Sequence, residues 1–303
     1  MSVRAFGLGL AFIAATAGLV APRSGMAAQT SGPNRLFADS RMVQRDRISV
    51  EVVGSGPDVV LIPGLASSRE VWRRTAERLR DRYRPHLVQV AGFAGEPAGL
   101  NASGPVLAPT VAAIDAYIAS AGLTKPAIVG HSLGGVMALQ LAADHPEHVG
   151  RAMVVDALAF YTELFAGPHE TVAGAQPYAD QIGKQMLAVS DADYAAGSVK
   201  TATMMATAPA DQARIQRWST TSTRATMVTA MQEDMTTDLR PRIANIAVPV
   251  TVLYEAALGP LVTADYAALP HKTLVRAAAG ARHFLMYDDP AGFDAALDRF
   301  LAG

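Results

Sequence analysis

The sequence predicts an α/β fold: a mostly parallel central sheet flanked by helices, with a helical cap inserted between two of its strands. Three observations carry that prediction. Short apolar, β-branched runs alternate with longer segments of helical period, the rhythm of strand, crossover helix and strand. Over 157–245 that rhythm stops, and helix-like stretches follow one another without a convincing strand. Strand character then returns for two more runs before a closing helix. With 303 residues, half of them hydrophobic and 17% charged, the chain can bury a sizeable core without staples.

Each element has its own reason. Residues 48–53 read as a leading strand that ends at Gly54-Ser55-Gly56-Pro57. Val59-Val60-Leu61-Ile62 is a buried strand closed by Pro63-Gly64. Ser67 with Glu70 has capping-box spacing and opens a helix whose Trp72, Ala76 and Leu79 share a face. The next strand is 86–90. A helix follows over 106–121 with Val111, Ile114 and Ile118 inward. Ala127-Ile128-Val129 is a short strand, 133–143 a helix and Ala152-Met153-Val154-Val155 another strand. Residues 248–254 and 273–275 complete the sheet, and Phe293, Leu297 and Phe300 or Leu301 mark the last helix. The core is thus 47–156 with 246–303, and 157–245 is the cap, too long for a simple connection. An insertion there lies over the sheet edge where ligands bind in such folds.

Residues 1–28 read as an address. Arg4 precedes an uncharged run, 5–21, and Gly25-Met26-Ala27-Ala28 offers small residues for cleavage after Ala27 or Ala28. This is the layout of a secretory signal peptide, and the run is shorter than the ~20 mostly apolar residues of a membrane span. The expectation is a periplasmic or secreted protein, free of the membrane after cleavage, with 29–46 as a leader ahead of the core.

Composition narrows the function. With 26 basic and 27 acidic residues there is no basic excess to neutralise phosphates, which argues against nucleic acid as a partner. The absence of cysteine removes disulfides, thiolate metal sites and a cysteine nucleophile. Seven scattered histidines without His-Glu-x-x-His argue against a zinc enzyme. No arginine cluster or glycine-rich phosphate loop suggests a phosphorylated substrate.

One motif carries chemistry. Gly130-His131-Ser132-Leu133-Gly134, between a strand and a helix, fits the G-x-S-x-G nucleophile elbow. A serine on so sharp a turn is strained, and glycines two residues either side let neighbouring backbone pass without a clashing Cβ. The helix that follows aims its free N–H groups at developing negative charge.

With Pro63-Gly64-Leu65, Val154-Val155-Asp156-Ala157-Leu158 and Ala281-Arg282-His283-Phe284, the chain resembles the α/β-hydrolase fold superfamily, in its capped, serine esterase-like form. Met286-Tyr287-Asp288-Asp289-Pro290 also resembles that family's lead into its last helix. The resemblance implies a serine hydrolase that needs no cofactor and no metal. It makes His283 the general base, in the loop after the last strand. His131 is the variable elbow position, expected to pack under the turn. His145 and His148 flank Pro146 at a helix end, and His86, His169 and His271 have no motif around them.

The chain departs from the family in its third member. Many relatives carry the orienting acid after the strand matching 248–254, but here the run is Tyr254-Glu255-Ala256-Ala257-Leu258-Gly259-Pro260. Asp156, at the end of the preceding strand, preserves the order Ser, Asp, His and is preferred. Glu255 is the alternative acid and Asp265 a distant third, while Asp288 and Asp289 follow the histidine. The oxyanion would be held by the backbone N–H groups of Leu133 and Leu65.

Cap residues Met186, Met204, Met205, Met227, Met231 and Met235 are flexible and polarizable, and suit an apolar ligand. The expected partner is a small-molecule apolar ester or related acyl compound, hydrolysed through an acyl-enzyme. Acyl transfer, or cleavage of an amide, lactone or C–C bond, would use the same serine. Haloalkane dehalogenation is disfavoured, since that family has aspartate where Ser132 stands. The missing acid after 248–254 also motivates a reading as a ligand-binding protein on a decayed hydrolase scaffold.

Overall fold

The computed structural model of the chain describes residues 35–303. The expected signal peptide and the start of the leader lie outside the described residues. Eight strands form one sheet: β1 Arg41–Gln44, β2 Ile48–Val52, β3 Asp58–Ile62, β4 Arg84–Val90, β5 Ala127–His131, β6 Arg151–Val155, β7 Val250–Tyr254 and β8 Lys272–Arg276. Their spatial order is β1-β2-β4-β3-β5-β6-β7-β8. β1 and β2 pair antiparallel, as do β2 and β4. The remaining pairings are parallel.

Alternation along the strands sorts the core into two layers. Val59 and Leu61 of β3, with Val129 and Met153, face α1 (Arg73–Leu79) and α12 (Pro290–Ala302), meeting Trp72, Ala76, Phe293 and Leu297. Val60 and Ile62, with Ile128 and Val154, face α2 (Leu107–Ser120) and α3 (Leu133–Asp144). On α2, Val111, Ile114 and Ile118 are buried. In α3 every residue from Leu133 to Ala142 is buried and all but Gln140 are apolar or glycine, as suits a helix enclosed on every side.

Between β6 and β7 lie α4 (Glu163–Ala166), α5 (Val172–Ala188), α6 (Asp191–Met205), α7 (Pro209–Thr221), α8 (Arg224–Thr236) and α9 (Arg240–Ile243). α10 (Gly259–Asp265) joins β7 to β8, and α11 (Leu285–Asp288) precedes α12. The cap is seated through polar contacts with the core. The Glu233 carboxylate accepts the N–H groups of Val106 (3.0 Å) and Leu107 (2.6 Å), capping the positive end of α2. Thr226 Oγ1 donates to the Asn101 carbonyl at 2.9 Å.

Two details differ from expectation. The helix after β3 begins with a short 3-10 turn capped by Ser68, whose Oγ accepts the Glu70 N–H at 3.1 Å. Ser67, one residue before that cap, instead donates its Oγ to the Leu65 carbonyl. Within the leader, β1 adds an edge strand, and buried Glu51 on β2 accepts the N–H groups of Leu36 and Phe37 and the hydroxyl of Ser40. Among the described residues no helix is long and apolar enough to cross a membrane.

Candidate active site

The geometry begins at the C-terminal ends of β5 and β6. Their register pairs His131 with Val155, so Ser132 and Asp156 leave the sheet at the same level. Both have left-handed backbone, with φ of 54° and 53°. This conformation is unfavourable for residues with a Cβ and is concentrated at functional turns. The Ser132 N–H donates to the Val155 carbonyl (2.9 Å) and the Asp156 N–H to that of Leu253 (2.8 Å), which locks both turns to the neighbouring strand.

The glycines of the elbow are there for space. A Cβ on Gly130 would sit 1.9 Å from the Gly134 carbonyl oxygen, and one on Gly134 would sit 2.4 Å from that of Ile62. A Cβ on Gly64 would sit 3.0 Å from the Ser132 Cβ. The loop carrying Leu65 therefore runs directly beside the serine. Leu133 is the first residue of α3, where helix geometry offers its N–H no intrahelical acceptor. Among the described residues neither the Leu65 nor the Leu133 N–H donates to a protein acceptor.

His283 lies between β8 and α11, and its Nδ1 donates to Asp156 Oδ2 at 2.8 Å. The other carboxylate oxygen, Oδ1, accepts the Glu255 backbone N–H at 2.8 Å. The Asp156 side chain is 1% exposed and that of His283 24%. With Nδ1 committed, Nε2 is the basic nitrogen left to act. Burial alone would depress the His283 pKa. The Asp156 hydrogen bond and charge, reinforced by Glu255 and Asp234, outweigh that and raise it above the ordinary 6.5. The Glu255 carboxyl is pushed up to about 7, first by burial and then by Asp156. It contributes its backbone to the acid and its field to the imidazole.

His131 lies beneath this loop rather than merely under its own turn. Its Nε2–H donates to the His283 carbonyl at 3.0 Å, and the two rings lie 4.6 Å apart. Burial, followed by the charge of His283, holds His131 well below the ordinary range, so it stays neutral.

The other titratable candidates have structural partners. Asp265 accepts the Ala159 N–H and fixes the segment after Asp156. Asp288 accepts the N–H of Thr207, and Asp289 caps α12 through Gly292. His86 bridges Tyr117 and Asp58. His145 and His148 gather around Asp115, with ligand atoms within 4.8 Å of one another. Both precede β6 and so lie at the opposite end of the sheet from Ser132.

One group was not anticipated from the sequence. Asp234 of α8 is 8% exposed, and burial pushes its carboxyl up to about 7 against the pull of the His283 charge. Helical period places it on the buried face with Met227 and Met231, but period cannot show what lies opposite.

Comparison with known proteins agrees with this fold. The chain is 41% identical over 111 residues to the pimeloyl-[acyl-carrier protein] methyl ester esterase of Aeromonas hydrophila subsp. hydrophila, a match covering 36% of this chain and 41% of that protein. It is 26% identical over 258 residues to the N-formylmaleamate deformylase of Pseudomonas putida, covering 82% of this chain and 90% of that one. Among solved structures, a thermophilic esterase from Thermogutta terrifontis superposes with a TM-score of 0.72 at 16% identity, over 86% of this chain and 98% of the other, a likeness of fold. The sequence profile of the alpha/beta hydrolase family matches residues 59–296. A mostly parallel sheet with antiparallel pairing at one edge, a strained serine between β5 and α3, and a histidine tied to the next strand end are thus features of a chain that belongs to the alpha/beta hydrolase family.

Proposed function

We infer that this enzyme hydrolyses carboxylic esters with an apolar part through an acyl-enzyme on Ser132. The observation that carries this reading is the Asp156–His283 hydrogen bond, set level with a serine held in left-handed backbone at the head of α3. In the forward step Ser132 Oγ attacks the ester carbonyl while His283 Nε2 takes its proton. The imidazolium that forms is stabilised by Asp156. The oxyanion is received by the Leu65 and Leu133 N–H groups, whose loss individually would be worth about 10²–10³ in rate. His283 then returns its proton to the leaving alkoxide. Water, deprotonated by the same nitrogen, attacks the acyl-enzyme and releases the acid.

The Asp156–His283 hydrogen bond supports Asp156 as the acid absent from the β7 loop and weighs against the reading of a decayed binder. The deformylase, similar over most of this chain, favours C–N bond cleavage as the second reading. The curated esterase matches over two fifths of its length, so its particular substrate does not transfer. A fluorophosphonate probe with p-nitrophenyl esters and amides of graded acyl length tests both readings. Labelling and ester turnover that vanish in Ser132→Ala support the esterase. Amide turnover exceeding ester turnover favours the second reading, and folded wild type that neither labels nor turns over refutes both.

The enzyme is further inferred to act after export. Expressed with its own leader, it should appear in the periplasmic or extracellular fraction beginning at Ala28 or Gln29. An intact N-terminus in the cytoplasmic fraction would refute this.

A further inference from the structure

Five acidic side chains are buried among the described residues: Glu51, Asp156, Glu163, Asp234 and Asp265. Four of them have an oxygen engaged. Glu51 holds the leader, Asp156 holds His283, Glu163 pairs with Arg240 and Asp265 takes the Ala159 N–H. Asp234 is the exception. Neither of its carboxyl oxygens accepts a hydrogen bond among the described residues, and Oδ1 is fully buried without a partner. An unsatisfied buried group of this kind is destabilising, more so if charged. Such a defect is retained where function requires it.

Its position shows what that function would be. The residues flanking Asp234 are fixed: Glu233 is held against the start of α2, and the Met235 carbonyl accepts the Thr162 hydroxyl at 2.6 Å. Asp234 is thereby held between α8 and the segment that leads away from Asp156. Its field reaches both the His283 imidazole and the Tyr161 phenol. The surroundings are otherwise apolar, with Met227, Met231 and Met235 buried on the same helix. A buried carboxyl on an apolar face of α8, whose field reaches His283 and which has no donor among the described residues, is a hydrogen-bond acceptor awaiting a donor from elsewhere.

We propose that Asp234 is a specificity-determining residue that accepts a hydrogen bond from a hydroxyl or amino group on the substrate, so that the natural ester is apolar but carries such a donor. The inference rests on the ester-hydrolase reading and adds to it a substrate class. A site built to bond a substrate donor discriminates strongly against the analogue lacking it, because the buried acceptor is then left unpaired.

Matched esters test it: methyl butyrate with methyl 3-hydroxybutyrate, methyl 3-phenylpropionate with methyl 3-(4-hydroxyphenyl)propionate, and ethyl hexanoate with ethyl 6-hydroxyhexanoate. Wild type should prefer the donor-bearing member of at least one pair by about tenfold or more in kcat/KM. Asp234→Leu should collapse that ratio, and Asp234→Asn, which keeps one acceptor, should retain part of it. Because Asp234→Leu removes an unpartnered buried carboxyl, its Tm should rise by about 2–4 °C. A wild type without preference in any pair overturns the proposal. So does an unchanged ratio in Asp234→Leu, or a fall in its Tm, which would make Asp234 a structural residue. If wild type hydrolyses none of the esters and resists the fluorophosphonate, the ester reading itself fails and this inference falls with it. Ester hydrolysis without preference sinks this inference alone.

Discussion

Two carboxyls, Asp156 and Glu255, stand beside one imidazole, and the hydrogen bond separates their roles. Asp156 holds the Nδ1 proton and sets the tautomer, so Asp156→Asn should lower kcat by about 10⁴ in an ester assay. Glu255 acts through space, so Glu255→Gln should cost less than about tenfold, with its main effect on the pH profile. The sign follows from charge. The proposed mechanism needs neutral His283, and its pKa is raised above 6.5, so kcat/KM should fall as pH drops through a limb lying above that value. Glu255 contributes to the elevation, and Glu255→Gln should therefore shift the limb to lower pH. A limb that stays put, or moves upward, would contradict the assigned interaction. At this scale the sequence was informative where a residue sits in a motif or at a strand end. The candidates Ser132, His283 and Asp156 are read from the elbow, the loop after the last strand and the chain order, and the structure joins two of them, His283 and Asp156, by a hydrogen bond. The choice between Asp156 and Glu255 did not follow, because both stand one residue past paired strands and side-chain direction is a tertiary property. Asp234 was illegible for the same reason: the groups its field reaches, Tyr161 and His283, lie far away in sequence.

The nucleophile elbow shows how little side-chain volume an element can tolerate. Three segments converge on it through Gly64, Gly130 and Gly134, and the barrier at Gly134 is the backbone carbonyl of Ile62, which cannot rotate away. Gly134→Ala should accordingly destabilise by at least the upper part of the about 1–3 kcal/mol typical of overpacking. Activity should fall further than stability, because displaced backbone moves Ser132 and the Leu133 N–H together. Urea denaturation with parallel ester kinetics would check this, and near-wild-type values in both would refute the packing argument. Among the strands, those buried on both faces were readable because Val59 to Ile62 and their kin form continuous apolar runs. β1 was not readable: Arg41-Met42-Val43-Gln44 is a short, half-exposed edge segment whose pairing to β2 is decided by neighbours, including the Glu51 clamp on the leader. The Ser67 reading failed by one residue, since two adjacent serines satisfy nearly the same capping pattern and only backbone geometry chooses Ser68.

Across the whole molecule, the cap and the histidine loop behave as one assembly. The Phe284 N–H, one residue past the base, donates to the Met205 carbonyl at 3.1 Å. Arg282, one residue before it, donates to the Ala206 carbonyl at 3.0 Å and also to that of Thr203. Asp288 completes the seam by accepting the Thr207 N–H at 3.0 Å and its hydroxyl at 2.8 Å. These three residues join the C-terminal end of α6 to the short stretch that presents His283, while His131 supports that stretch from below. Cap position and base position are therefore mechanically coupled, and loosening one should misplace the other. Arg282→Ala removes the cation that spans the seam without touching the hydrogen bond between His283 and Asp156. It should lower kcat/KM by up to about 10²-fold, the scale at which small misplacements of reacting groups act. The loss should come with faster amide exchange in 200–207, while the strands of the sheet keep their protection. Asp288→Asn, which keeps one acceptor for Thr207, should give a smaller effect in the same direction. If Arg282→Ala loosened 200–207 and left kcat/KM unchanged, cap and base would be independent, and the seam would serve stability alone.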